Sequence, residues 1–261
     1  MTLKALLFDL DNTLVPEMAN YELAFDAACR DAARRHSFDL LKFRVAVFGS
    51  ANDLWQRSET FAYCSRLGIG SPTSLLSDFP GERPEFATLR QWAPGYRERC
   101  WTGALRPLVH DGLVRGLAAE LDAAFRARLR SHCPPYDDVF AMLQQVARSY
   151  SLAVLTNGPG DVQRAKLRAS GLERFFPVTV ASGDIGFGKP DPRIFATALE
   201  RLGLGANEAI AIGDSLERDV VGARAAGVSC VWLNRDRAAG SARPAPDHEI
   251  ASLGELPALL S

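Results

Sequence analysis

"LLFDLDNTLV", residues 6–15, runs Leu6, Leu7 and Phe8 straight towards Asp9 and Asp11, with Asn12 and Thr13 just behind. A run of bulky apolar residues reads as buried strand. Two carboxylates one residue apart do not belong inside a core unless charge is needed there. The stretch therefore marks a strand that ends on a functional surface.

Further strand-sized apolar runs lie at Leu152–Leu155, Val178–Ala181, Ala209–Ile212 and Ser229–Leu233, beside the first at Leu3–Phe8. Helical spacing separates the later runs: Val139, Leu143, Val146 and Tyr150 form one stripe, and Ile194, Phe195, Ala198, Leu199 and Leu202 another. The second carries its own signals, with Asp191 as N-cap, Pro192 at the first helical position and Gly203 as the stop. Continuously apolar strands alternating with helices imply a doubly wound parallel sheet covered on both faces, an α/β fold.

The first strand stands apart from the second. Residues 16–135 carry helical patterns and no strand series, with the best candidates at Tyr21–Arg35, Asn52–Leu67 and Leu113–Leu129. The Gly-, Pro- and Ser-rich stretch 68–86 reads as a loop between helices. The expected organisation is an α/β core of residues 1–15 and 136–261 carrying a mainly helical insertion of residues 16–135. Trp55, Trp92 and Trp101 are expected in the insertion's own core.

Composition narrows the partners. Thirty basic and 31 acidic residues leave a net charge of −1, so no global field favours nucleic acid or an anionic membrane. No apolar run reaches the roughly 18 residues of a membrane span, and the N-terminus lacks a secretory pattern, which points to the cytoplasm. Cys29, Cys64, Cys100, Cys133 and Cys230 are odd in number and scattered, so they read as reduced packing thiols. His36, His110, His132 and His248 lack ligand spacing.

Open parallel sheets bind ligands beyond the carboxyl ends of their strands. Asp9 and Asp11 follow the first strand, Thr156 and Asn157 the second, and Asp214 and Ser215 the fourth, with Asp219 in the next helical turn. Lys189 sits between them in "GFGKPDP", residues 186–192. All are expected on one rim.

In order, "FDLDNTL", "LTNG", "GKPDPRIF" and "IGDSLERD" resemble the four motifs of the haloacid dehalogenase superfamily. The insertion falls between the first and second motifs, where family members with a movable helical cap carry it. The resemblance implies a Mg²⁺-dependent phosphatase of a small phosphorylated metabolite. It makes Asp9 the nucleophile that forms an aspartyl-phosphate, and Asp11 the acid that protonates the leaving alkoxide and then activates water. Asp9, the Asp11 carbonyl and Asp214 would hold the metal. Thr156, Asn157 and Lys189 would bind the phosphoryl group, and Asp219 would serve either a metal-bound water or Lys189.

These residue types suit the chemistry. A carboxylate attacks a phosphate dianion only when charge is neutralised and geometry is held in line, and Mg²⁺ is satisfied by carboxylates, a carbonyl and substrate oxygens. Dehalogenases of the family lack the second aspartate, because a halide leaves without a proton, so Asp11 argues for an oxygen leaving group. The "TNG" form is more like the nucleotidase and acylneuraminate phosphatase groups. A sugar phosphomutase, or a module that binds a phosphorylated ligand without turnover, are the alternatives. Which of Arg44, Arg57, Arg97 and Arg99 faces the cleft, and the oligomeric state, are not legible.

Overall fold

Among the described residues, six strands, β1 (Ala5–Phe8), β2 (Ser151–Thr156), β3 (Val178–Ala181), β4 (Ala209–Gly213), β5 (Ser229–Leu233) and β6 (His248–Ile250), form one sheet in the computed structural model. The structure describes residues 3–238 and 245–260. Their order is β3-β2-β1-β4-β5-β6, and every neighbouring pair is parallel. The expected α/β fold is present, with β1 at the centre, registered as Phe8 opposite Val154 on one side and Ile212 on the other.

The two-residue period of a strand sends alternate side chains to opposite faces. Leu6, Phe8, Val154 and Ile212 pack on one face with Val139, Leu143 and Leu256. Ala5, Leu7, Leu155 and Ala211 pack on the other with Ile194, Phe195 and Ala198. Each fully buried aliphatic or aromatic side chain contributes about 1.5–3 kcal/mol by leaving water. Both faces are dry, which is why the strands read as unbroken apolar runs.

Between β1 and β2 lie α1 (Glu17–His36), α2 (Leu40–Gln56), α3 (Phe61–Arg66), α4 (Ser71–Leu76), α5 (Pro84–Leu105), α6 (Asp111–Ser131) and α7 (Val139–Val146). Later crossovers carry α8 (Gly160–Ala169), α9 (Ser182–Ile185), α10 (Pro192–Leu202) and α11 (Val221–Ala225), and α12 (Leu256–Leu259) follows β6. In α10 the Asp191 carboxylate accepts from Arg193 N at 3.0 Å, and Gly203, at φ 69°, ends the helix. Helices α1 to α6 share a core in which Phe25 stacks on Trp101 with ring centroids 5.3 Å apart. Trp55, Trp92 and Tyr96 form a second aromatic group there, so the three tryptophans pack as expected.

Two readings of the insertion need correction. Residues 68–86 are not a simple loop, because Pro72 and Pro84 sit in the first turns of α4 and α5. Proline at that position starts a helix, since the missing N–H would have no partner anyway. The helix expected over Asn52–Leu67 is broken between α2 and α3, where Ser58 Oγ and Thr60 Oγ1 bond each other at 3.1 Å. Short hydroxyl side chains offer the backbone alternatives to helix.

The chain leaves the sheet after Val15 and returns at Tyr136, whose N–H donates to Leu14 O at 3.1 Å. Exit and return thus run side by side, and Asn20 Nδ2 braces them with a 3.0 Å bond to Pro134 O. All five cysteines are buried and unpaired, and burial pushes the Cys64, Cys100 and Cys133 thiols up to about 12. Among the described residues no helix is long and apolar enough to cross a membrane.

Candidate active site

Asp9 prolongs β1, with its N–H donating to Ile212 O at 2.9 Å, so the ladder fixes where its side chain emerges. The chain then turns sharply. Leu14 N and Val15 N both donate to Leu10 O, at 2.9 and 3.0 Å, while Asn12 adopts a left-handed φ of 62°. Asparagine tolerates that conformation better than most residues. Its Oδ1 also accepts Glu17 N at 3.2 Å, fastening the start of α1 to the strand end.

Lys189 arrives from the loop before α10, buried, with Nζ 2.5 Å from Asp9 Oδ1 and 2.6 Å from Asp219 Oδ1. Asp219 Oδ2 accepts Ser215 N at 3.0 Å. Its close approach needs Gly213, where a Cβ would stand 2.2 Å from Asp219 Cγ. Asp214 is held by Thr13 Oγ1 at 3.2 Å, and its carbonyl by Trp232 Nε1 at 2.9 Å. Of the two roles read for Asp219, this structure displays the pairing with Lys189.

Burial raises the Asp9 pKa well above the carboxylate range; Lys189 opposes this, and the charges of Asp219 and Asp214 add to it. Burial, then Asp219, likewise raises Asp214. Burial works against the Lys189 ammonium, but Asp219 and Asp9 outweigh it and lift its pKa above the ordinary lysine value. Among the described residues, Asp9, Asp214 and Asp219 form an acidic cluster with ligand atoms all within 4.8 Å of one another. Three carboxyl groups share one ammonium, so a further cation is needed for all three to be ionised together. Hard oxygen donors in such a cluster fit a divalent cation of the Mg²⁺ type.

Thr156 and Asn157 lie beside this cluster at the end of β2. The Asn157 amide grips the Lys189 backbone, donating to its carbonyl at 2.9 Å and accepting its N–H at 2.8 Å. Its side chain therefore positions the lysine loop. Thr156 Oγ1 lies 2.5 Å from Nε2 of Gln163, a residue of α8 that the sequence did not single out.

The Asp11 carboxylate turns away from the acidic cluster, towards α8. Its Oδ1 accepts Lys166 Nζ at 2.6 Å and its Oδ2 accepts Gln163 Nε2 at 2.8 Å. Lys166 also reaches Glu17 Oε1 at 2.9 Å and lies 5.0 Å from the Tyr21 ring centre. Tyr21 donates to Glu17 Oε1 at 2.8 Å and meets Thr73 Oγ1 at 3.0 Å. Burial, with the Glu17 charge adding and Lys166 opposing, pushes the Asp11 pKa up to about 6. None of Lys166, Gln163 or Glu17 stood out in the sequence. The available signal was the three-residue spacing of Gln163 and Lys166 on the face that also carries Val162 and Ala169.

A cavity of about 280 Å³ opens above Asp9 and Asp11, walled on the other side by Glu17, Met18, Tyr21, Gly70 and Thr73. Arg218 supplies its arginine. Arg44 instead pairs with Asp26 at 2.6 Å, and Arg97 donates to Ser77 O at 2.9 Å. Further contacts join the helical segment to the sheet half. Ser182 Oγ donates to Leu67 O at 2.6 Å, and Asp161 accepts both Ser77 Oγ and Asp78 N at 2.8 Å. Gly68, at φ 65°, lies so close to Asn157 that a Cβ would stand 2.7 Å from the Asn157 Cβ.

The family model of haloacid dehalogenase-like hydrolases matches residues 3–227. The chain is 33% identical over 255 residues to a phosphoserine phosphatase of Thermus thermophilus, covering 97% of this chain and 98% of the relative. It is 27% identical over 259 residues to N-acylneuraminate-9-phosphatase of Mus musculus, covering 98% and 93%. Among solved structures, a 2-haloacid dehalogenase from Pseudomonas syringae pv. Tomato DC3000 aligns with a TM-score of 0.63 at 26% identity, covering 99% of this chain and 98% of that one.

Proposed function

The chain belongs to the haloacid dehalogenase-like hydrolases, and from that premise we propose that it is a Mg²⁺-dependent phosphatase of a small organic phosphate monoester. One observation carries the reading: a buried, strand-fixed Asp9 within reach of Lys189 and an acidic cluster, with a second carboxyl, Asp11, two residues on. Full-length similarity to two named phosphatases supports the same class.

Asp9 Oδ1 is engaged by Lys189, which leaves Oδ2 to attack phosphorus. The new O–P bond forms as the ester P–O bond breaks, and the leaving oxygen takes the bond's electron pair and a proton from Asp11. Asp11, now a carboxylate, takes a proton from water as that water attacks the aspartyl-phosphate. Inorganic phosphate departs, Asp9 is regenerated and Asp11 is again protonated. Thr156 and the Asn157 backbone would bind phosphoryl oxygens, and Lys189 would offset their charge. Asp9, Asp214 and the Asp11 carbonyl would hold Mg²⁺, which when bound supplies the remaining positive charge.

Residues 16–135 act in this reading as a cap over the core of residues 1–15 and 136–261, excluding water while the acyl phosphate exists. Asp11 disfavours a dehalogenase despite the structural likeness, since a halide needs no acid. Release of inorganic phosphate from a panel of sugar, nucleoside and amino-acid phosphates, with Mg²⁺ and with chelator, tests the proposal. Activity undiminished in chelator, or none on any ester from folded protein with Mg²⁺, would overturn it.

A further inference from the structure

Helix α8 presents two polar side chains three residues apart, Gln163 and Lys166, and both are fully buried. One helical turn brings such a pair to a common face. They take separate oxygens of one carboxyl group: Gln163 Nε2 donates to Asp11 Oδ2 and Lys166 Nζ to Asp11 Oδ1. Bonds to both oxygens from one rigid element fix the plane of the group as well as its place.

A buried ammonium is costly, and a methionine would fill similar space without that cost. Lys166 must therefore be explained by what it holds. Its other partners are Glu17 Oε1 and the ring of Tyr21, both on α1. Gln163 is oriented for its donors too, because its Nε2 faces Asp11, Thr156 and Asn157 O while its Oε1 is buried without a partner.

Resting on the phosphatase reading, we propose that Lys166 is a positioning residue for proton transfer: it fixes the Asp11 carboxyl at the wall of the cavity, from where Asp11 serves the leaving-group oxygen, and Glu17 ties that hold to the seating of α1. Lys166 touches neither phosphorus nor the leaving group. Its effect passes through Asp11, so it is felt only where the leaving oxygen needs a proton.

That dependence supplies the test. An alkyl phosphate expels a strongly basic alkoxide, whereas p-nitrophenyl phosphate expels a stabilised phenolate that leaves without a proton. The quantity compared is kcat/KM, which covers steps up to the aspartyl-phosphate. Lys166→Met should lower kcat/KM about 30-fold for the best alkyl phosphate and less than about threefold for p-nitrophenyl phosphate. Glu17→Gln, at a partly exposed position, should shift the same ratio in the same direction by about threefold. A thermal melt establishes that each variant is folded. Equal losses on both esters, or none, would overturn the positioning role and leave the phosphatase reading intact. Should Lys166→Met not fold, an unchanged ratio in Glu17→Gln overturns it. A wild-type protein that cleaves neither ester with Mg²⁺ removes the phosphatase reading, and this inference with it.

Discussion

Lys189 and Asp219 approach within 2.6 Å although 30 residues separate them, and together they close the floor beneath Asp9. The lysine comes from a loop after β3 and the aspartate from the turn after β4, so this contact ties two crossovers to one catalytic candidate. Removing the ammonium would leave Asp9 and Asp219 buried without it. Lys189→Met should cost about 3–5 kcal/mol at neutral pH, with less loss at pH 5 where the buried Asp9 holds its proton more fully. Urea unfolding at the two pH values measures the difference; equal losses would mean that the pair contributes packing rather than charge balance.

Asp9→Asn exchanges the proposed nucleophile for a nearly isosteric amide. Turnover of any ester should fall by roughly 10⁴-fold or more, with the melting temperature maintained or raised, because the amide brings no buried charge. Residual wild-type phosphate release would remove Asp9 from the nucleophilic role.

The buried carboxyls of the site give stability a definite pH dependence. Asp9, Asp11 and Asp214 all bind their protons more tightly folded than unfolded. A group of this kind stabilises fully below its unfolded pKa and loses that contribution as pH rises through the folded value. For Asp11 the window runs from 3.8 to about 6 and is worth on the order of 3 kcal/mol. Glu17 is shifted the other way: burial would raise its pKa, but Lys166 outweighs it, and the effect acts below its ordinary 4.5. In chelator, stability should therefore decline from about pH 5 to pH 7. Mg²⁺ should recover more melting temperature at pH 7 than at pH 5, since at lower pH it competes with protons. Scanning calorimetry at both values would reveal a flat profile if these carboxyls were not coupled to folding.

Asp214→Ala should raise the Mg²⁺ concentration that gives half-maximal activity by about tenfold or more while sparing the fold, because the other two cluster members remain. Titration calorimetry with Mg²⁺ alone gives an independent reading. Unaltered metal affinity would place the cation elsewhere.

Asp161, which does not line the cavity, receives two bonds from the helical segment, Ser77 Oγ and Asp78 N. In Asp161→Ala the segment should spend more time swung away. Solution scattering would then show a larger radius of gyration, and KM should rise by about threefold with little change in the core's melting. An identical scattering profile would argue for a fixed segment.

The candidate rim was legible because strand ends are legible: apolar runs give the period, and the polar residues just beyond them fall on one edge of a parallel sheet. Asp9, Thr156, Asp214 and Asp219 could be placed that way without coordinates. Lys166 and Gln163 could not, because on an amphipathic helix a lysine and a glutamine look like solvated residues until the neighbour that buries them is known. The first turns of α4 and α5 were misread for a different reason. Pro72 and Pro84 looked like breaks, when proline in a first turn serves as a beginning.

Gly68 shows how much depends on an atom that is not there. With no side chain it lets the backbone of the helical segment come down onto Asn157, the residue whose amide clasps both polar groups of the Lys189 backbone. A single methyl at position 68 would work as a shim beneath a tightly seated plate. It would force the segment to ride higher or press Asn157 aside, and pressing Asn157 aside would loosen the mount that carries the ammonium to Asp9. The clearance between the two halves and the aim of the charge at the centre are thus one mechanical tolerance, gauged by a glycine.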